Sequence, residues 1–226
     1  MTENSTWRVA VGDDTTSAIY EPAIGEEQGV FMCAHGAGGN MNDRATAATA
    51  TAMREIGLGV VRFNFLYKEK GRGGPDPMPK LMSTYTAVVD HARRELNPQR
   101  LIIGGRSMGG RTASMLAAEA FDADGLLLLA YPLHPPGQHD KLRVEHLPSI
   151  TMPVLCFNGT RDAFCEPSLM KNALEKVRTR WTMHWIDDAD HGFKVPKRTG
   201  RTESDVMIEI RNVTEDWLQT IWPGKG

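Results

Sequence analysis

Ser107 lies in the pentapeptide Gly105-Arg106-Ser107-Met108-Gly109, which fits the pattern G-x-S-x-G. This pattern is typical of a sharp strand-to-helix turn that exposes a serine hydroxyl, with small residues required two positions before and after the serine. An apolar run over residues 101–103 precedes the turn, and an alanine-rich amphipathic segment follows it. The context predicts that Ser107 is a nucleophile, with a phosphate-binding loop or a purely structural turn as the alternatives.

A serine hydroxyl is a weak nucleophile, so it needs a base, and the base needs a third group that fixes its tautomer. Asp162 and His191 each follow one of the last two predicted strands. Their order after the serine, acid and then histidine, is the one expected for this kind of turn. Asp190 is a weaker candidate for the acid, because it adjoins His191 and its carboxylate would struggle to reach the imidazole. We therefore predict a catalytic triad of Ser107, Asp162 and His191.

A second glycine-rich loop, residues 35–40, follows another apolar run and precedes a helical segment. It does not complete the dinucleotide pattern G-x-G-x-x-G, and no lysine of a phosphate-binding loop follows it. A flexible turn is the remaining alternative to an oxyanion loop. Together with Ser107, the pattern favours an oxyanion hole in which the backbone N–H groups of Met108 and Ala37 are the donors.

Several residues in loops after predicted strands are candidates for the substrate pocket. The histidine that opens the second glycine-rich loop is expected to fix that loop rather than to act as the base. The segment 66–80 is polar, rich in Gly and Pro and without periodicity, which predicts an irregular loop with some reach over the site. Its arginine could bind a substrate carboxylate or be simply solvated. The pocket candidates are His35, Gly36, Gly38, Arg72 and His134.

The elements that must position these residues alternate between apolar runs and amphipathic segments. Continuous apolar runs, such as 30–34 and 125–131, are typical of strands buried on both faces. The alternation predicts a mainly parallel sheet with helices on both faces, preceded by a hairpin of strands over 7–12 and 17–20. Ligands bind such sheets at the carboxyl ends of the strands, where the predicted triad would meet.

Helical periodicity predicts helices over 43–56, 80–96 and 167–177, and a last helix with Val206, Ile210, Val213, Trp217 and Ile221 on one face. The connection over 132–152 is mostly irregular and too short for a large lid domain.

Composition limits the class of protein. The chain has 226 residues, 41% of them hydrophobic, and a net charge of −2, which indicates one domain over 1–226 and gives no basic surface for nucleic acid. Three cysteines are too few for a disulfide framework, and no apolar stretch approaches membrane-spanning length. We expect a cytoplasmic protein that does not bind membranes. The sequence does not indicate its oligomeric state.

These motifs together resemble the alpha/beta-hydrolase superfamily, through the loop at 35–39, the turn at 105–109, Asp162 and the segment 191–193. The resemblance implies an alpha/beta-hydrolase fold with an eight-stranded sheet and no large cap domain. The chain also resembles a small group near the dienelactone hydrolases, although those enzymes use cysteine where this chain has serine.

That group includes a testis-expressed protein and a hydrolase-like subunit of a histone-acetylating complex. The segments that carry this finer resemblance are Gly104–Arg111, Pro75-Asp76 and Tyr131–Gly137. Some of its members are scaffolds, so the resemblance implies a non-catalytic interaction module as one alternative.

The residues favour a serine hydrolase that acts on a small ester or thioester through an acyl-enzyme. Such chemistry needs neither a metal nor an organic cofactor, and no Cys/His spacing of the zinc type is present. A serine peptidase or acyltransferase would use the same three residues and is the second alternative.

Overall fold

Apolar β-branched and leucine-rich runs form the centre of one eight-stranded sheet in the computed structural model, which describes residues 3–223. The strands lie in the order β1-β2-β4-β3-β5-β6-β7-β8. Their bounds are β1 Ser5–Val11, β2 Asp14–Glu21, β3 Gly29–Ala34, β4 Leu58–Phe63, β5 Leu101–Arg106, β6 Gly125–Leu129, β7 Val154–Gly159 and β8 Trp181–Ile186.

The sheet is mostly parallel, as predicted. Every neighbouring pair from β4 to β8 is parallel, whereas β2 runs antiparallel to both β1 and β4. The predicted hairpin of β1 and β2 is present, but its turn is tighter than expected. Only Gly12 and Asp13 connect the strands, because Gly12 adopts a φ of 60° that a side chain would disfavour.

Helices cover both faces of the sheet and bury two apolar clusters. Residues of α1 and α6 pack on one face, and residues of α3, α4 and α5 pack on the other. The helices are α1 Arg44–Arg54, α2 Leu66–Glu69, α3 Met78–Leu96, α4 Met108–Ala118, α5 Pro167–Leu174 and α6 Glu203–Ile221. This arrangement is the predicted alpha/beta-hydrolase fold, with helices on both faces and no large cap.

Local capping explains where the two helices of the first face begin. The carboxylate of Asp43 accepts a hydrogen bond from the N–H of Thr46 over 2.8 Å, so α1 starts directly after the glycine-rich loop. At α6, Thr202 and Asp205 form a reciprocal capping box. α1 follows the loop at the carboxyl end of β3, and its Arg44 pairs with Glu203 in the first turn of α6, so both helices start at the carboxyl edge of the sheet.

The prediction of an irregular loop over 66–80 is wrong at both of its ends. Residues 66–69 form the short helix α2, and α3 already begins at Met78. A four-residue helix is too short to show periodicity, and proline is well tolerated in the first turn of a helix, as Pro79 shows here. The irregular part is only the segment 70–77.

The connection over 132–152 is irregular apart from one short 3₁₀ turn, Leu147–Ser149. Over the described range 3–223, no helix is long and apolar enough to cross a membrane.

Candidate active site

The turn that carries Ser107 is built by close contact between two strands and a helix. β5 ends at Arg106 and α4 begins at Met108, so Ser107 alone makes the turn, with φ 50° and ψ −115°. A β-carbon on Gly105 would lie 2.3 Å from the carbonyl oxygen of Ala34, and one on Gly109 would lie 2.6 Å from the same atom. Both glycines of the motif are therefore required by the approach of β3, and Ser107 is held in an unfavourable backbone region.

The three residues of the predicted triad lie within hydrogen-bonding distance of one another. Nε2 of His191 is 2.9 Å from Oγ of Ser107. Nδ1 of His191 is 2.9 Å and 2.8 Å from the two carboxylate oxygens of Asp162. The loops after β5, β7 and β8 supply these residues, and all three loops leave the same edge of the sheet.

The carboxylate of Asp162 is fully buried and held on several sides. Its Oδ2 accepts a hydrogen bond from Nδ2 of Asn158 over 3.0 Å, and its Oδ1 accepts one from the N–H of Phe164 over 2.8 Å. The amide of Asn158 also pairs with both backbone groups of Tyr131. Asn158 belongs to the site as a positioning residue that sequence reasoning missed, and its only signal was a polar residue near the end of a buried strand.

The loop that carries His191 is fixed from two directions. The ring of Phe164 lies 4.3 Å from the imidazole, measured between ring centroids. From the other side, Nη2 of Arg106 donates to the carbonyl oxygen of His191 over 2.7 Å, and the guanidinium lies 4.7 Å from the ring of Phe193. Burial lowers the pKa of Arg106 below its usual range. No pattern in the sequence indicates that the residue before the serine holds this loop.

Two backbone N–H groups in the segments around the serine are the predicted oxyanion donors. Met108 is the first residue of α4, so its N–H has no partner within the helix. The loop of Ala37 lies beside the serine, because a β-carbon on Gly36 would be 3.6 Å from Cβ of Ser107. The hydroxyl of Tyr67 donates to the carbonyl oxygen of Ala37 over 2.7 Å and so holds the loop.

His35 holds the same glycine-rich loop, residues 35–40, through its imidazole ring. Its ring is fully buried, and burial lowers its pKa from 6.5, which favours the neutral form. Nε2 accepts a hydrogen bond from the N–H of Phe65 over 3.2 Å, so Nδ1 carries the proton and donates to the carbonyl oxygen of Gly36 over 2.7 Å. Both ring nitrogens are occupied, which leaves none for a substrate and corrects the expectation that His35 lines the pocket.

The other pocket candidates have different surroundings. Gly36 lies beside Ser107, and Gly38 is exposed at the loop tip. His134 is buried, and its Nε2 accepts a hydrogen bond from the N–H of Glu166 over 3.1 Å, so it ties the 132–152 connection to the loop after Asp162.

The side chain of Arg72 is 48% exposed to solvent, in keeping with the solvated alternative, and it also pairs with a carboxylate. Its Nη2 lies 2.6 Å from Oδ1 of Asp76, whose side chain is only 2% exposed.

The arrangement contains three groups that a two-step acyl transfer uses: a hydroxyl, an imidazole within hydrogen-bonding distance of it and a buried carboxylate behind the imidazole. Within residues 3–223, no cluster of three or more His, Cys, Asp or Glu side chains is placed to bind a metal ion.

Solved structures of similar fold cover nearly the whole chain. An alpha-beta serine hydrolase homologue from Coxiella burnetii is 20% identical, covers 96% of this chain and 99% of its own, and superposes with a TM-score of 0.78. A serine hydrolase without a lid from Xanthomonas campestris is 21% identical, with 100% and 98% covered and a TM-score of 0.76.

A dienelactone hydrolase from Anabaena variabilis is 18% identical, with 96% and 97% covered and a TM-score of 0.74. Identities this low establish the shared fold alone. The family model described as an alpha/beta hydrolase domain matches residues 27–219, which is most of the chain. The chain belongs to the alpha/beta hydrolase family.

Proposed function

We propose that this protein is a serine hydrolase that cleaves a small ester or thioester through an acyl-enzyme on Ser107. The observation that carries the proposal is the continuous hydrogen-bonded path from the buried Asp162 carboxylate through His191 to Oγ of Ser107. The serine-hydrolase names of structures with the same fold support it.

In the first step, Nε2 of His191 takes the proton of Ser107 while Oγ attacks the carbonyl carbon of the substrate. The tetrahedral intermediate collapses, the acyl–oxygen or acyl–sulfur bond breaks, and His191 gives its proton to the departing alcohol or thiol. A water molecule then loses a proton to the same nitrogen and attacks the acyl group. The carboxylic acid leaves, and Ser107 regains its proton.

The negative charge of each tetrahedral intermediate would be held by the N–H groups of Met108 and Ala37. One such donor typically contributes about 10²–10³ in rate. The carboxylate of Asp162 would stabilise the imidazolium that forms on His191.

The substrate class follows from the surroundings of the serine. Within residues 3–223, the 132–152 connection carries one 3₁₀ turn and forms no large cap, which favours a small and accessible substrate. We further propose that residues 1–226 act as one domain, because the two apolar clusters cover opposite faces of one sheet.

Membership of the small group that includes the testis-expressed protein is also a proposal, and it rests on the segments Gly104–Arg111, Pro75-Asp76 and Tyr131–Gly137.

Labelling with a fluorophosphonate probe and hydrolysis of a short-chain p-nitrophenyl ester test the proposal. We expect the probe to label Ser107 in the wild-type protein and Ser107→Ala to lose both labelling and hydrolysis. Ser114→Ala is the matched control, because Ser114 lies on the same helix but bonds to the carbonyl oxygen of Arg111 and to His146 instead. A folded wild-type protein that does not react, or hydrolysis that survives Ser107→Ala, would contradict the proposal.

A further inference from the structure

A cleft of about 710 Å³ lies between α1 and α6, on the face of the sheet behind the loop of His191. Neither the triad side chains nor the two proposed oxyanion donors line it. It borders the proposed active site only through Arg106 and residues 192–194, which follow His191. Its volume is in the range of pockets that bind small organic molecules.

The floor and walls of the cleft are mainly apolar. α1 contributes small side chains, which leave the space open, and α6 contributes two large ones. The apolar lining consists of Ala45, Ala48, Ala52, Phe193, Met207 and Ile208. Ile208 is 44% exposed, and only one other large hydrophobic residue in the described chain, Ile24, is as open to solvent. An exposed apolar side chain inside a concave surface indicates a place for an apolar ligand.

The charges that line the cleft are predominantly positive. Two of its four cationic side chains are neutralised across the two helices, since Arg44 pairs with Glu203 and Arg211 pairs with Glu55, each over 2.9 Å. Arg106 and Lys194 also line the cleft, and neither has a carboxylate within 4.0 Å in the part of the chain that the structure describes.

The unneutralised charges lie toward one end of the cleft. Arg106 is the last residue of β5, at the edge of the sheet where α1 and α6 begin. Lys194 lies three residues after His191, in the loop between β8 and α6. The guanidinium of Arg106 uses one N–H on the carbonyl oxygen of His191, which leaves further donors. The carboxylates of Asp43, Asp162 and Asp190 act on Arg106 only from beyond 4.0 Å, and burial still lowers its pKa, so an anion in direct contact would offset the cost of burying the guanidinium.

We propose that this cleft binds an anionic amphiphile, a carboxylate with an unbranched alkyl chain. The carboxylate would lie against Arg106 and Lys194, and the alkyl chain would cover the alanines of α1 together with Met207 and Ile208. Charge complementarity selects this ligand class: a neutral chain would leave the two cations unpaired, and a cationic one would be repelled by them. Binding needs no reaction at Ser107.

Isothermal titration calorimetry with three soluble probes, each below its micelle concentration, tests the proposal. Dodecanoate is expected to bind, whereas dodecyltrimethylammonium, with the same chain and the opposite charge, and butanoate, with the same charge and a short chain, are expected to bind at least about tenfold more weakly. Ser107→Ala should bind dodecanoate as the wild-type protein does, because the cleft does not include Ser107. The binding result therefore does not depend on whether the protein is a hydrolase.

Matched variants locate the binding. Ile208→Asp places a carboxylate in the apolar wall and is expected to weaken dodecanoate binding about tenfold or more. Ile24→Asp makes the same change at the other exposed isoleucine, which does not line the cleft, and should leave binding unchanged. Lys194→Gln removes an exposed cation and should weaken binding without affecting the fold.

Three results would overturn the proposal. One is an absence of dodecanoate binding, and another is equal binding of dodecyltrimethylammonium. The third is dodecanoate binding that neither Ile208→Asp nor Lys194→Gln weakens, which would place the ligand elsewhere, such as beside Ser107. Thermal unfolding of each variant verifies that it is folded.

Discussion

Asn158 donates a hydrogen bond from its side-chain amide to Oδ2 of Asp162 over 3.0 Å, and that carboxylate in turn faces Nδ1 of His191. Asn158→Ala removes the donor without touching any proposed reacting atom. A hydrogen bond to a charged group contributes about 1.5–3 kcal/mol, so we expect kcat for ester hydrolysis to fall at least about tenfold. KM should stay nearly constant, because no substrate contact is lost.

A purely structural role for Asn158 would give a different result. It would lower the free energy of unfolding, because the backbone groups of Tyr131 would lose their partners, but it would leave kcat of the folded fraction unchanged. Active-site titration with the fluorophosphonate probe counts the folded, reactive fraction. A kcat per reactive site equal to that of the wild-type protein would contradict the positioning role.

The contact between the serine turn and β3 predicts a large difference between two glycine substitutions. A β-carbon at Gly109 would lie 2.6 Å from the carbonyl oxygen of Ala34, which is backbone and cannot move aside. We expect Gly109→Ala to lower the free energy of unfolding by about 3 kcal/mol, measured by urea unfolding. Gly73→Ala is the control, since a β-carbon there meets no atom within 4 Å and the change should be within about 0.5 kcal/mol. Equal stability of the two variants would contradict the prediction.

The sequence was sufficient to predict the central sheet and the edge at which Ser107, Asp162 and His191 come together, because both depend on local patterns. The apolar run 125–131 identifies β6 by composition alone, although the strand ends at Leu129, and the end of a parallel strand has a known place at the edge of the sheet. The glycines around Ser107 carry an equally local requirement for close packing.

Side-chain hydrogen bonds between distant segments of the chain could not be predicted in this way. Arg106 precedes the serine, yet it reaches the carbonyl oxygen of His191, 85 positions along the chain. Tyr67 reaches Ala37 from a helix too short to show periodicity. Such contacts depend on how the loops pack in three dimensions, which neither spacing nor residue type specifies.

The hydrogen bond from the hydroxyl of Tyr67 to the carbonyl oxygen of Ala37 predicts a second loss of activity. Tyr67→Phe keeps the buried ring and removes only the hydroxyl. We expect kcat to fall about tenfold with little change in KM, because the loop that carries Ala37, the proposed second oxyanion donor, loses one of its fixed points. Steady-state kinetics on a p-nitrophenyl ester measure both constants.

Tyr131→Phe is the matched control for that substitution. Its hydroxyl donates to the carbonyl oxygen of Arg143 over 2.8 Å, in the 132–152 connection rather than in the glycine-rich loop. Both variants should lose similar stability, about 1 kcal/mol, but only Tyr67→Phe should lose activity. An equal loss of kcat in both would assign the effect to general loosening of the fold.

The burial of His146 leads us to expect that the free energy of unfolding depends on pH. Its half-buried imidazole places Nε2 2.8 Å from Oγ of Ser114 on α4. Burial, and to a smaller extent the positive charge of Arg111, lowers its pKa from 6.5 to about 4, against a weaker opposing effect of Glu145. The unfolded chain therefore binds a proton near pH 6.5 that the folded protein binds only near pH 4. Stability from this group is complete above pH 6.5 and is lost as the pH falls through that interval.

His146→Gln removes this proton from both states and keeps a polar side chain beside Ser114. The free energy of unfolding of the wild-type protein should fall more steeply than that of the variant between pH 6.5 and about 4, by at most about 1.4 kcal/mol per pH unit and less where solvent screens the ring. Urea unfolding across this range measures the free energy of unfolding of both proteins at each pH. A constant difference between the two free energies above pH 6.5 reports only the change in packing. Parallel pH dependences throughout would show that His146 takes up its proton equally in the folded and unfolded protein, contrary to its burial beside Arg111.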